Sequence, residues 1–253
     1  RGMLRAFFIF LSKAKWAQNL VMNWRFAWKV ASRFIAGTSI NEAIQVVKNL
    51  NEQGFHVTLD HLGENTSSFE DAGNSTNEVI QLLEEIYKNS VSANVSIKLS
   101  QIGLGIDKQL CKDNLLTILD KAKELKNFIR IDMEDSSLTT DSLDIVKSAY
   151  KYYSGVGTVI QSYLYRSEED VRTLINDCIT IRMVKGAYKE PASVAFPKKK
   201  DVDDNFDHLV KICLEEINSC ESKKISDGEK FPPLIAVASH DQKRLENALN
   251  LAK

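Results

Sequence analysis

Six short apolar segments along the chain each end in a polar or charged residue, and polar residues lie on one face of these segments. The segments read HVTLDH, NVSIKLSQ, FIRIDMED, TVIQSY, ITIRMVKG and LIAVASHD. Alternate residues of a strand point to opposite faces, so each predicted strand has one apolar and one polar face. A parallel strand covered on both faces is usually apolar throughout, and burying unpaired polar groups is costly. The pattern therefore predicts a ligand site at the carboxyl ends of these strands.

The two faces are clearest on three of the strands. The predicted apolar face holds Val95, Ile97, Leu99, Ile129, Ile131, Met133, Ile179, Ile181 and Met183. The predicted polar face holds Ser96, Lys98, Arg130, Asp132, Thr180 and Arg182, with Gln161 on a further strand.

Helical periodicity fills the intervals between the strands. Helices are predicted over 39–54, 77–89, 107–126, 140–153, 202–219 and 241–252, with a short helix after Ser167. Two N-terminal caps are expected, one from Ser39 with Glu42 and one from Ser167 with Asp170.

Alternation of strands and helices predicts an α/β fold with a parallel sheet, either an open doubly wound sheet or a closed barrel. The glycine fingerprint of dinucleotide-binding sheets is absent after the first strand, which reads DHLGENTS. Polar residues end every strand, which favours a distorted (β/α)8 TIM barrel with about six β/α units in this chain. We expect a barrel domain over residues 37–253, with its closing elements beyond the sequence, and an N-terminal helical arm over residues 1–36.

Composition excludes some classes of function. The net charge of −1 argues against a nucleic-acid binder that relies on bulk charge. The four cysteines show no C-x-x-C spacing, which suits a reducing, cytoplasmic location. His61 and Glu64 lack a third ligand at a sensible spacing, so no metal site is expected. The oligomeric state is left open.

The first 41 residues carry seven basic and no acidic residues, and all three tryptophans lie among them. A basic, aromatic helix over residues 3–36 suits either peripheral contact with the inner face of a membrane or packing as an arm over an open face of the domain. Both interpretations stay open at this point.

Charged residues at the strand ends suggest chemistry. Lys98 suits a carboxylate partner, a Schiff-base nucleophile, or a salt bridge to Asp60 or Asp132. Arg182 and Lys185, followed by the turn Gly-Ala-Tyr, suit an anionic or electron-rich cofactor, because glycine permits close backbone approach.

The strand endings, taken together, resemble proline dehydrogenase, in particular the monofunctional bacterial flavoenzymes. The motifs that carry the resemblance are SRFIAG, VTLDHLGE, NVSIKLSQIGL, RIDMEDS, VIQSYLYR, RMVKGAYKEP, VAFP and ASHD, in the family's order over residues 32–241. The resemblance implies oxidation of L-proline to Δ1-pyrroline-5-carboxylate, the first step of proline catabolism to glutamate. It also implies FAD as cofactor, hydride transfer to flavin N5, and a quinone as electron acceptor.

The resemblance also implies roles for single residues. Lys98 would pair with the proline carboxylate, Asp132 would organise the substrate end, and Tyr188 would shield the site. Asp132 and Arg182 would be the catalytic residues. Arg182 would hydrogen-bond the flavin near N5. The remaining cofactor contacts would come from Asp132, Met133, Gln161, Val184, Lys185, Gly186, Ala187, Ser239 and His240. The family often has threonine where Ser239 stands, and its arginine pair for the substrate carboxylate is expected beyond Lys253.

Two other functions remain open on the sequence. One is a Schiff-base lyase of the aldolase type that uses Lys98 or Lys185. The other is a barrel that binds flavin or another ligand without catalysis.

Overall fold

The computed structural model describes residues 36–60, 66–216, 220 and 230–253. The chain divides into two compact units, Arg1–Asn49 and Leu50–Lys253. The predicted arm lies outside the described residues except for Ala36, and the boundary predicted between residues 36 and 37 stays a prediction.

Six strands and seven helices alternate along the described residues. The strands are β1 (Val57–Asp60), β2 (Ala93–Ile97), β3 (Ile129–Ile131), β4 (Val156–Gln161), β5 (Thr180–Val184) and β6 (Ile235–Val237). The helices are α1 (Ile40–Glu52), α2 (Phe69–Lys88), α3 (Lys108–Glu124), α4 (Thr139–Tyr152), α5 (Ser167–Asn176), α6 (Lys199–Glu216) and α7 (Gln242–Leu251).

The strands form one parallel sheet in the order β1-β2-β3-β4-β5-β6. Helices pack on their sequence neighbours, α2 on α3, α3 on α4, α5 on α6 and α6 on α7. A doubly wound sheet reverses its strand order at a switch point, whereas a β/α barrel adds each strand beside the previous one. The order confirms the barrel type with six β/α units, and the doubly wound alternative is wrong.

The apolar faces predicted from alternation are buried between the sheet and its helices. Ile97, Ile131 and Ile181 lie in one register row across the sheet, each 1% exposed or less. Helices α3 and α6 contribute Ile118 and Leu209 to the same apolar layer. The polar residues of the strands therefore lie on the opposite face, inside the curve of the sheet.

Helix α2 begins at Phe69, eight residues before the predicted start. Ser68 caps it, because its hydroxyl accepts from the Asp71 N–H at 3.1 Å while the Asp71 carboxylate accepts from the Ser68 N–H at 3.0 Å. The prediction missed the first two turns of the helix because Gly73 and its polar neighbours are typical of a loop.

The predicted cap from Ser167 with Asp170 is wrong. The Ser167 hydroxyl donates to the Gln161 carbonyl at 2.6 Å, and Asp170 binds the Arg166 guanidinium through both carboxylate oxygens at 2.8 and 3.0 Å. These contacts fix the start of α5 against the end of β4 instead of capping the helix.

Cys178 and Cys220 form a disulfide with a Cα–Cα distance of 5.6 Å, which their spacing in the sequence did not predict. Cys111 and Cys213 are buried thiols. Among the helices described here, none is both long and apolar enough to cross a bilayer.

Candidate active site at the carboxyl edge of the sheet

A cleft of about 420 Å³ lies at the carboxyl ends of β2 to β6. It is lined by Lys98, Asp132, Met133, Val159, Gln161, Arg182, Val184, Lys185, Gly186, Ala187, Tyr188, Ala238, Ser239 and His240. The structure thus brings all the site residues predicted from the sequence around one cleft. Val159 and Ala238 were missed, and alternation along β4 between Gly157 and Gln161 would have found Val159.

Lys98 follows β2, and its ammonium donates to the Asp60 carboxylate, at the end of β1, over 3.1 Å. Burial opposes the charge on Lys98, but Asp60 and then Asp132 outweigh it and raise the pKa of this amine. A Schiff-base lysine needs a lowered pKa so that its amine is neutral. The electrostatics therefore favour Lys98 as a cation that binds an anion, and they disfavour it as a nucleophile.

Asp132 follows β3 and connects three strands. Its N–H donates to the Ile97 carbonyl at 2.8 Å, which continues the sheet beyond β3. Its Oδ1 accepts from the Ser96 hydroxyl at 2.7 Å and lies 3.4 Å from Nη1 of Arg182 on β5. Arg182 and Asp132 are both about a fifth exposed, so this ion pair borders the cleft.

Gln161 ends β4 and is 3% exposed. Its amide nitrogen donates to the Glu134 carbonyl at 2.8 Å, and its amide oxygen accepts from the Ala187 N–H at 3.4 Å. The Glu134 carboxylate in turn accepts from the N–H and hydroxyl of Ser100. Gln161 therefore connects the loop after β3 to the loop after β5 and fixes the distance between them.

Lys185 leaves β5 with its ammonium between two carboxylates, Asp203 at 2.5 Å and Asp241 at 2.6 Å. The hydrogen bond from Lys185, with a further one from Lys199, lowers the pKa of Asp241 to about 2. Asp203 stands in the first turns of α6 and Asp241 just before α7, so Lys185 joins two helix starts to the end of β5. Asp241 ends the ASHD motif, but neither carboxylate was assigned a role from the sequence.

Gly186 has a φ of +118°, which disfavours residues that carry a Cβ. A Cβ at this position would come within 2.4 Å of the Tyr163 ring. The glycine is thus required both by the turn and by close packing. Tyr188, two residues further, is 39% exposed at the cleft, and burial and then Glu134 raise its pKa.

Ser239 and His240 follow β6 at the far end of the cleft. The Ser239 hydroxyl accepts from the Asp241 N–H at 3.1 Å and so turns the chain into α7. Arg130 is not part of the cleft, since its side chain is 1% exposed beneath it and donates to the Thr158 carbonyl at 3.1 Å.

His61 and Glu64, the residues considered for a metal, lie outside the described residues. In the part of the chain that the structure describes, no three histidine, cysteine or acidic side chains form a group able to hold a metal ion.

Residues 43–253 match the family model for proline dehydrogenase. Over 249 residues the chain is 38% identical to proline dehydrogenase 2 of Bacillus subtilis, an alignment that covers 98% of this chain and 77% of that protein. It is 43% identical over 188 residues to proline dehydrogenase of Deinococcus radiodurans, covering 72% of this chain and 61% of the relative.

Proline utilization A of Bdellovibrio bacteriovorus has a similar solved structure, with a TM-score of 0.78 and 24% identity over 89% of this chain. The chain spans 27% of that protein, so the similarity concerns the barrel fold alone. The fold, the family model and the extent of identity lead to one conclusion: the chain belongs to the proline dehydrogenase family of oxidoreductases.

Proposed function

We propose that this protein oxidises L-proline to Δ1-pyrroline-5-carboxylate and that FAD binds at the carboxyl edge of the sheet. The observation that carries the proposal is the order of the charged groups along that edge. Lys98 follows β2, the ion pair of Asp132 and Arg182 joins β3 to β5, and Lys185 follows β5. Each of these cations is paired with a carboxylate, and an anionic substrate and an anionic cofactor would bind different members of the set.

Lys98 is the cation proposed for the proline carboxylate. Its side chain is 26% exposed and its present partner is Asp60. Because the lysine is partly removed from water, its attraction for a carboxylate is stronger than that of a surface lysine. Substrate binding would add a second carboxylate to this ammonium or replace Asp60.

The residues after β5 and β6 fit FAD. Gly186 allows the backbone to approach a ligand closely. Lys185 would supply positive charge for a phosphate that displaces Asp203 or Asp241 from its ammonium. Lys185, Gly186 and Ala187 would hold the ribityl and phosphate portion, and Ser239 and His240 the dinucleotide. Met133, Gln161 and Val184 would contact the flavin ring. When bound, FAD would supply the two-electron acceptor for the reaction.

Oxidation removes a hydride from the carbon beside the ring nitrogen and releases a proton from that nitrogen to solvent, which leaves a C=N bond. Arg182 would stabilise the negative charge that the electron pair brings to the bound acceptor. Asp132 orients Arg182 through the contact at 3.4 Å and is itself oriented by Ser96. The residues thus position the reactants more than they move protons.

A quinone is the proposed final electron acceptor, which is supported by the resemblance of the motifs to the family. The accompanying proposal of membrane contact concerns residues 3–36, which lie outside the described residues apart from Ala36. Electron transfer to a water-soluble quinone, compared with transfer to oxygen, tests the acceptor independently of any membrane.

The test of the proposed function is anaerobic addition of L-proline to the protein saturated with FAD. We expect the flavin absorption band to bleach and Δ1-pyrroline-5-carboxylate to appear in equal amount. A barrel that only binds ligands predicts bound FAD without bleaching. A lyase that uses Lys98 or Lys185 predicts covalent trapping of a carbonyl substrate by borohydride. Either of these outcomes without bleaching contradicts the proposal.

A further inference from the structure

Tyr163 lies two residues beyond β4 and is 8% exposed. It does not line the cleft, and although it lies in the VIQSYLYR motif it was assigned no role from the sequence. The segment after β5, residues 185–197, carries Lys185, Gly186 and Tyr188 into the cleft. Tyr163 contacts this segment in two ways, through its backbone and through its ring.

The backbone of Tyr163 fixes both ends of the segment. Its N–H donates to the Lys185 carbonyl at 3.0 Å, and its carbonyl accepts from the Phe196 N–H at 2.8 Å. The next residue, Leu164, forms an antiparallel bridge with Ala195. Residues eleven apart in the segment are therefore held by one residue after β4.

The ring of Tyr163 lies against the backbone of Gly186. A Cβ built on Gly186 would stand 2.4 Å from Cδ1 and 2.6 Å from Cε1 of this ring. The contact leaves Gly186, at φ +118°, no room to move toward the ring. The ring thus limits the path of the chain between Lys185 and Tyr188.

The hydroxyl of Tyr163 is buried and has no hydrogen-bond partner among the described residues. Burial raises the pKa of this tyrosine to about 12, with a further contribution from Glu190 and an opposing one from the backbone amide of Tyr188. Glu190 is itself fixed, since its carboxylate accepts from the Ser136 N–H at 2.7 Å and from the Ser136 hydroxyl at 2.5 Å.

We propose that Tyr163 is a positioning residue whose ring sets the Lys185–Tyr188 turn at the distance from the sheet that FAD and proline require. The inference rests on the proposed function, since it assigns the turn to those ligands. Tyr163 does not line the cleft and would act on the ligands through Gly186. A displacement of about 1 Å at such a turn lowers a rate by about a hundredfold.

The protein contains a matched control at the other end of β4, where the strand begins. Tyr153 precedes β4, and a Cβ on Gly155 would stand 2.4 Å from its ring, as Gly186 does from Tyr163. The Tyr153 hydroxyl donates to the Asn127 carbonyl at 2.7 Å, and this ring is also partly buried. The two tyrosines therefore flank one strand with the same contact, but only Tyr163 adjoins the cleft.

The experiment compares Tyr163→Ala with Tyr153→Ala in the full chain, together with Tyr163→Leu in case the alanine variant does not fold. Thermal unfolding, the FAD dissociation constant from quenching of flavin fluorescence, and kcat and KM for proline are measured. For Tyr163→Ala, or Tyr163→Leu, we expect an FAD dissociation constant at least about tenfold higher and a kcat about a hundredfold lower. Tyr153→Ala loses thermal stability but keeps both values within about twofold.

Equal effects of the two alanine variants on FAD affinity and kcat, or wild-type values in Tyr163→Leu, would overturn the positioning role. The conservative Tyr163→Phe keeps the ring and is expected to restore FAD affinity to within about twofold of wild type. If the wild-type protein itself binds no FAD or leaves proline unoxidised, the proposed function fails first, and the wild-type measurement identifies that case.

Discussion

The strands carry polar residues toward both of their ends, which we call the carboxyl edge and the amino edge of the sheet. The partners of these polar residues differ between the two edges. At the carboxyl edge, charged groups meet charged groups: Lys98 contacts Asp60, and Arg182 contacts Asp132. The side chains in these pairs are between a fifth and a third exposed. Each pair can therefore exchange part of its interaction for a ligand from solution.

At the amino edge, polar side chains bind backbone carbonyls instead. Arg130 donates to the Thr158 carbonyl at 3.1 Å, and its guanidinium lies 4.9 Å from the Phe128 ring centre. Asn127, which is fully buried, donates to the Ala93 carbonyl at 3.2 Å. Burial, and then the charge of Arg182, lowers the pKa of Arg130.

The contrast shows that a polar inner face does not by itself identify a functional site. Backbone carbonyls belong to the sheet and cannot leave, so the polar groups bound to them stabilise the barrel. Paired charges with partial exposure are the feature that distinguishes the cleft. Substitutions at the carboxyl edge should change catalysis, and substitutions at the amino edge should change stability.

The largest expected effect is that of Arg182→Met. Loss of a preorganised cation beside the reacting centre should lower kcat/KM for proline about a thousandfold, with little change in thermal unfolding. Steady-state dye reduction measures the rate. Arg172→Met removes an exposed arginine paired with Glu168 and Glu216, and it should keep wild-type activity. Comparable losses of kcat/KM in both variants would show that the effect is not specific to the cleft.

The next effect is that of Lys98→Met. A partly desolvated cation that binds the substrate carboxylate contributes about 3 kcal/mol, so KM for proline should rise about a hundredfold. The value of kcat should change much less, because the carboxylate is bound equally before and during the reaction. Lys108→Met, which removes a lysine paired with Asp141 at 2.5 Å, is the control with an unchanged KM. An unchanged KM in Lys98→Met would contradict the assignment of this lysine to the proline carboxylate.

Gly157→Ala tests the amino edge. A Cβ there would stand 2.6 Å from the Thr180 carbonyl oxygen and 2.7 Å from the Phe128 ring. Overpacking of this kind should lower the free energy of unfolding by about 1–3 kcal/mol, as measured by urea denaturation. Gly73→Ala in α2 meets open space and should be neutral or slightly stabilising. Loss of FAD affinity in folded Gly157→Ala would show that the two edges are not independent.

The smallest effect concerns pH. The pKa of Lys98 is raised above 10.5, so its pairing is fully present below that pH and is lost only as the pH rises through the raised value. Affinity for tetrahydrofuran-2-carboxylate, a proline analogue without an ionisable nitrogen, should therefore stay constant from about pH 6 to about pH 10. A decline that is absent from Lys98→Met and begins near neutral pH would show a lowered pKa and revive the lyase alternative.

Local patterns were sufficient to predict the six strands and their charged ends. Alternation identifies the faces, and a polar residue after an apolar strand marks the carboxyl edge where side chains from separate strands meet. The ion pair between Lys98 and Asp60 was among the alternatives considered for that lysine, and the structure contains it at 3.1 Å.

Contacts between distant segments were not predictable in the same way. The disulfide joins residues 42 apart, and Lys185 binds Asp203 and Asp241 on two different helices. Tyr163 shows its importance only where its ring meets Gly186. Such contacts depend on how successive β/α units pack against one another. The periodicity within a single helix or strand does not encode that packing.

The most direct test of the account is the rate at which L-proline bleaches bound FAD in a single anaerobic turnover, measured by stopped-flow absorption. The wild-type protein and Tyr153→Phe, a change at the amino edge, are predicted to bleach at the same rate. Arg182→Met is predicted to bleach about a thousandfold more slowly. Bleaching of Arg182→Met at the wild-type rate, or an unchanged oxidised spectrum in the wild-type protein, would contradict the account.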